Sequence, residues 1–317
     1  MTATDPVRTP PDDELEPWRE PWRTGGVLAV LRNPRLLWQF VRAEGRDKYR
    51  GTLLGGLWAY SKPLTRFLVY FLVIGVLLGL SRRVENFPVY IFSGVVVLQF
   101  FTSSLTSGTK SLARQTSLMR RVNVAREYIP LSMVLANVRR LRPAMIILVA
   151  AGLITGWRPR HVAGFPEAIA GMVLLVVFVS GLVMITSVAN MYVRDTRYAV
   201  ESVILVASWA SPTIYPWNLI AERFGEHSWI SYLYLSNPVT VAMTGMRAAF
   251  WEPTVPLAPT GAPGEFPDDP LAPGGVLSLP LVPVLMSIAV ALATFLLGVL
   301  VMRKHQHNLL LRTEWTP

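Results

Sequence analysis

Over 317 residues the chain is 52% hydrophobic and 16% charged, with mean hydropathy +0.39, no cysteine and a formal net charge of +10. An ordinary soluble domain carries about 25% charged residues, so a soluble surface of this size would go uncoated. No cysteine means neither a disulfide framework nor a thiolate metal site, and positive charge on so apolar a chain belongs against a membrane rather than on nucleic acid. The sequence is that of an integral membrane protein.

In chain order, residues 1–32 are Pro-rich and acidic, without an apolar stretch behind a basic start. They are expected to be a disordered cytoplasmic segment with no cleavable signal. Asn33-Pro34 then offers an N-cap and a first-turn proline, and Leu37, Phe40, Val41 and Glu44 recur at helical spacing. Residues 34–48 are expected to form an amphipathic helix in the inner membrane interface or docked on protein, two compatible placements within a segment spanning 33–63. Crossing about 30 Å of hydrocarbon takes roughly 20 apolar residues. Stretches of that kind are Phe67–Leu80, extended back to Trp58 past the snorkelling Lys62 and Arg66, then Asn86–Thr109, Ile129–Gly156, Ala168–Val193, Ser202–Ala221 and the end of Pro270–Met302. Six alternating helices over residues 64–302 leave segment 216–279 outside, its later part too rich in Pro and Gly for a helix. Residues 303–317 form an inner tail.

With the N-terminus inside, the outer loops hold only Arg82, Arg83, Arg158, Arg160, Arg223 and Arg247, and most of the 30 Lys and Arg fall on the cytoplasmic side, as the positive-inside rule requires. The apolar stretch Ser228–Met246 is rejected as a seventh span, because it would carry Arg303, Lys304 and Arg312 outside. Arg139, Arg140 and Arg142 interrupt the third span. At 1.5 Å per residue, Arg139 lies roughly 14 Å beyond Pro130, and a guanidinium facing lipid at such depth costs on the order of 3 kcal/mol or more. Either the helix projects below the bilayer and the span begins near Pro143, or the arginines face a hydrated cavity.

Catalytic signatures are lacking. Gly108-Thr109-Lys110-Ser111 lacks the glycine spacing of a phosphate-binding loop. His305 and His307, Asp12-Asp13 and Asp268-Asp269 read as solvated charges, so neither a metal nor a catalytic residue is expected on this chain. That argues against a membrane-embedded glycosyltransferase. A purely structural scaffold would not need arginines within a span.

Several segments carry a resemblance: Tyr49-Arg50-Gly51-Thr52-Leu53-Leu54-Gly55 with Trp58 and Pro63 before the first span; Arg120-Arg121-Val122 and Arg126-Glu127-Tyr128-Ile129-Pro130-Leu131 after the second; Tyr192-Val193-Arg194-Asp195-Thr196-Arg197-Tyr198 after the fourth; Ser211-Pro212-Thr213-Ile214-Tyr215-Pro216 ending the fifth; and Asn237-Pro238 with Arg247 before the sixth. In this order and topology the chain resembles the permease subunits of type-2 ABC exporters for lipid-linked polysaccharides, although Ala125 stands where the family usually has proline. The resemblance implies an all-α integral membrane protein with six transmembrane helices, an N-terminal interfacial helix and re-entrant outer gate helices between spans five and six. It also implies a homodimer on two copies of a separate ATPase that carries the ATP and Mg, with both termini of the permease on the cytoplasmic side of the inner membrane. It places ATPase coupling at Arg120, Arg121, Arg126, Glu127, Arg194 and Asp195, and the outer gate at Pro212, Pro216, Asn237, Pro238 and Arg247.

A polysaccharide channel favours aromatic rings, which stack on sugar faces and let them slide. Tyr60, Phe67, Tyr70 and Phe71 share one face of the first span, and Trp209 and Tyr215 lie near the outer end of the fifth; these are the candidate channel aromatics, with interhelical packing as the competing role. Lys48, Arg50, Lys62, Arg139 and Arg142 are the candidate gate for a polyprenyl-linked pyrophosphate, which guanidinium forks fit. All basic residues but Lys48, Lys62, Lys110 and Lys304 are arginine, in a chain rich in Ala, Gly, Val and Pro. This suggests a GC-rich genome and, with the resemblance, actinobacterial cell-wall galactan as cargo. The alternative is a type-2 permease for a drug or small lipid.

Overall fold

A computed structural model describes residues 26–46, 57–79, 81, 84, 86–117, 125–157, 164–213, 223–225, 228–254 and 281–314. Regular structure among the described residues is helical throughout. The order is α1 (Gly26–Arg32), α2 (Pro34–Arg46), α3 (Trp58–Tyr70, continuing as a π-helical turn over Phe71–Leu77), α4 (Phe87–Thr109), α5 (Ser111–Arg114), α6 (Tyr128–Arg140), α7 (Arg142–Ile154), α8 (Gly164–Tyr192), α9 (Thr196–Ala210), α10 (Trp229–Leu235), α11 (Pro238–Phe250) and α12 (Leu281–Glu314).

Four stretches are long and apolar enough to cross a membrane: Trp58–Leu77, Phe87–Thr109, Gly164–Tyr192 and Leu281–His305. The second is the central column. Buried residues make up 78% of its most apolar window, against 17% for the first and last, which turn most of their surface outward. Its start is fixed locally. Asn86 adopts a left-handed backbone at φ 49°, ψ 40°, a conformation asparagine tolerates, and its amide donates to the Thr254 carbonyl at 2.7 Å. Pro88 follows in the first turn, where no amide hydrogen is needed.

The third and fifth expected spans take a different form. Ile129–Gly156 is divided at Leu141 into α6 and α7. Pro143 has no amide hydrogen for the Arg139 carbonyl four residues earlier, and its ring crowds that oxygen. The fifth helix runs from Thr196 to Ala210 rather than from Ser202 to Ala221, so it takes in Arg197 and Glu201 at its start. Ser211 is extended (φ −98°, ψ 150°), as the residue before Pro212 tends to be. The apolar stretch at Ser228–Met246 is two short helices broken at Asn237-Pro238. The Ser228 hydroxyl accepts from the Ser231 amide at 3.2 Å, and Asn237 Oδ1 accepts from the Val239 amide at 3.0 Å, each an N-cap. Every residue of α11 is buried.

Close backbone approach holds this bundle. A Cβ on Gly245 of α11 would lie 2.6 Å from the Glu167 carbonyl oxygen of α8, and one on Gly181 of α8 would lie 2.5 Å from the Thr294 carbonyl of α12. Where lipid is as apolar as the side chains, helices associate by such contact rather than by hydrophobic burial. Helix α2 docks on α6: Val41 is fully buried and Phe40 stacks on Tyr128 with ring centroids 6.0 Å apart. The remaining described face of α2 presents Arg35, Trp38 and Arg42 outward.

Candidate functional site

An open groove of about 1040 Å³ runs between α3, α4 and α9. The α4 wall is polar because Thr102, Ser103, Thr106 and Ser107 recur at one-turn spacing on a single helix face. Tyr70 of α3 and Trp209 of α9 contribute rings, and Thr213 closes one end. The other end is basic: Lys62 and Arg66 from α3, Lys110 and Arg114 around the end of α4, and Arg140 from α6. Among the described lining residues Glu201 is the one carboxylate, and its Oε1 lies 3.0 Å from Lys110 Nζ.

A smaller recess of about 490 Å³ adjoins this end and holds Tyr60, Arg139, Arg142 and Pro143. Lys62, Ser103, Asn137 and Arg140 line both cavities and so form the partition between them. That partition is a hydrogen-bonded chain. Arg140 donates to the Asn137 side-chain oxygen at 2.9 Å and to the Glu44 carbonyl at 2.8 Å. Asn137 donates to the Ser107 hydroxyl at 2.8 Å, which donates to the Ser103 carbonyl at 2.6 Å. Glu44 also accepts from the Gln115 side chain. The Glu44 carbonyl belongs to the last turn of α2, where no intrahelical donor reaches it, so Arg140 serves as its cap. The Arg139 guanidinium lies 5.0 Å from the Trp38 ring centroid, a cation–π contact. Arg139 and Arg140 are therefore held by α2, and all three arginines of this stretch open onto the cavities.

At the far end, α11 carries a buried cation. Arg247 is 5% exposed, donates to the carbonyls of Pro212 and Thr213, the latter at 3.1 Å, and stands 3.9 Å from the Tyr90 ring centroid. Trp251 meets the same ring edge-on at 4.9 Å. The two carbonyls lie just past the end of α9, and Arg247 fixes that turn against α4. Beside it, Glu252 is raised from 4.5 to about 7, first by burial and then by the neighbouring Glu167.

Residues 35–251, more than half the chain, match the ABC-2 type transporter family. This chain is a membrane permease of that family. Its relatives include an O-antigen export system permease protein, RfbA, of Myxococcus xanthus, 27% identical over 224 residues that cover 70% of this chain and 83% of the relative. Two from Klebsiella pneumoniae bear the same name, at 25% and 24% identity, covering 72% and 71% of this chain and 82% and 80% of each relative.

Of the permease residues singled out in the sequence, Tyr70 and Trp209 line the groove, and Tyr60, Lys62, Arg139 and Arg142 meet in the recess. Phe67 and Phe71 stack on one another at 5.9 Å, and Phe67 packs edge-on against Phe92 at 5.2 Å; neither ring is among the residues lining the groove. Glu127 is fully buried. Burial also lowers the pKa of Arg126 from its ordinary value, with Glu127 partly opposing the shift. Arg194 and Asp195 are exposed in the turn between α8 and α9. Pro212 and Arg247 meet at the far end, whereas Asn237 and Pro238 form the start of α11. Lys48, Arg50, Arg120, Arg121, Tyr215 and Pro216 lie outside the described residues. Sequence reasoning did not place Arg66, Lys110, Arg114, Glu201 or Tyr90 at a site, and it named Arg140 only as one of three arginines interrupting a span. The hydroxyl pairs at Thr102-Ser103 and Thr106-Ser107, unusual in an apolar span, were the readable signal for the groove.

Proposed function

We propose that this permease exports a polyprenyl diphosphate-linked polysaccharide, with cell-wall galactan as the cargo. It works as a homodimer of six-span subunits in the cytoplasmic membrane, both termini inside, on two copies of a separate ATPase that binds ATP and Mg. One observation carries the reading: a single groove joins a hydroxyl- and ring-lined wall to a cluster of five cations at one end. Hydroxyls and rings suit sugar, which needs exchangeable hydrogen bonds and stacking surfaces. The cations suit a diphosphate head, which guanidinium forks bind bidentately. The apolar flanks of the groove, Leu64, Leu68 and Val69 on α3 and Val203 and Val206 on α9, are exposed, a surface a second subunit would cover. The names of the relatives support a polysaccharide, and the arginine-rich composition supports galactan.

The test is reconstitution with the ATPase in proteoliposomes loaded with polyprenyl diphosphate-linked galactan. ATP-dependent appearance of the polymer on the far side is expected. Movement of a drug or small lipid with no movement of the polymer overturns the proposal.

A further inference from the structure

The cluster of cations in the groove is not evenly occupied. Lys110 terminates α4 as its C-cap and reaches Glu201, in the second turn of α9, at 3.0 Å. Both side chains are partly exposed, at 28% and 49%. A pair this wet holds weakly, because water and salt screen it and two long side chains are ordered to make it. Lys62, Arg66, Arg114 and Arg140 line the same end, and no other carboxylate lines it among the described residues. Glu201 is thus an internal anion seated in a site whose charge suits a doubly or triply charged ligand.

The pair also ties together two elements of different burial. On one side stands α4, the buried central column. On the other is α9, of which only Val200 is buried and which follows directly on the exposed Arg194-Asp195 turn. Breaking the contact removes a side-chain tie between the start of α9 and α4, which keeps its other buried neighbours.

We propose that Glu201 is a displaceable latch: a diphosphate head group entering the groove takes Glu201's place on Lys110, and the freed carboxylate lets the start of α9 move from α4. This rests on the diphosphate-linked cargo proposed above. A diphosphate brings several charged oxygens able to engage Lys110 and the neighbouring guanidinium groups together, whereas one carboxylate engages Lys110 alone. The exchange is therefore favourable even though the latch forms readily in an empty groove. In this arrangement the same event that seats the head group frees the helix joined to the cytoplasmic turn.

The test is a binding cycle on the full-length permease assembled with its ATPase in nanodiscs, titrated with undecaprenyl diphosphate. Glu201→Gln is expected to bind the lipid about five-fold more tightly, because the competing anion is gone. Lys110→Gln is expected to bind several-fold more weakly. The decisive arm is the double variant: on the Lys110→Gln background, Glu201→Gln is expected to change affinity less than two-fold, because its effect passes through Lys110. An equal tightening on both backgrounds overturns the latch and shows Glu201 to be a general repulsive charge. An unchanged affinity in Glu201→Gln overturns it as well. Inorganic pyrophosphate, which is expected to compete only weakly, overturns the lipid assignment if it displaces the lipid at equal concentration. Wild-type protein that binds no undecaprenyl diphosphate sinks the cargo reading itself, whereas binding with additive variants sinks the latch alone.

Discussion

The two ends of the groove hold cations in opposite ways. At one end Lys62, Arg66, Lys110, Arg114 and Arg140 share a wide, partly exposed mouth, where one carboxylate contacts one lysine. At the other, Arg247 is enclosed, with two carbonyls and the Tyr90 ring around it. The first arrangement leaves charge available for exchange with a ligand, and the second uses charge to pin a turn. A buried guanidinium held by two carbonyls and a ring is costly to disturb, whereas a wet ion pair is cheap to replace. Solvent access, more than residue type, separates the cations left open to a ligand from Arg247, which is closed into the fold.

That contrast can be broken at several points. The largest effect is expected where backbones touch: Gly245→Leu drives a side chain into the Glu167 carbonyl, and the variant should give no monodisperse peak on size exclusion in detergent. Next, Arg247→Ala strands two buried carbonyls, at about 1–3 kcal/mol each, and should lower the thermal midpoint steeply. Glu252→Gln sharpens the picture through pH. Its carboxyl keeps its proton up to about pH 7 in the fold but loses it earlier when unfolded, so the folded state binds more protons and wild-type stability falls as pH rises from about 4.5 to 7. The variant should be more stable than wild type at pH 8, by at most about 3 kcal/mol, and equal to it at pH 4. Smallest, Arg140→Ala should cost about 1–3 kcal/mol and should expose α2 to limited proteolysis before the rest of the bundle opens.

The spans were legible where they contain no charge. Asn86–Thr109 anticipates α4 to within one residue, and Ala168–Val193 anticipates α8 to within four, because a long charge-free run has few other uses. The start of α9 was not legible, since the charge-free run that marks this helix begins only at Ser202 and cannot foresee Glu201 beside Lys110 from another helix. The arginines of the third span were conspicuous, but their role was not readable. The Glu44 carbonyl that Arg140 caps lies far away in sequence, and only the docking of α2 on α6 brings the two together. Asn237-Pro238 was legible as a break, and local capping chemistry makes it the start of α11, whereas Tyr90 looks like any aromatic residue in an apolar span without Arg247 beside it.

Export through the groove requires it to be a wet path for cargo. The chain has no cysteine, so single cysteines report without background from the permease. Ser103→Cys and Ser208→Cys, both on the groove, and Val206→Cys, exposed but not among its lining residues, are to be labelled with a charged thiol reagent in the assembled transporter. Rapid labelling of the two groove positions, slowed by lipid-linked galactan, with little labelling at Val206→Cys, is the predicted result. Groove positions as inert as Val206→Cys, or labelling indifferent to the polymer, would contradict it.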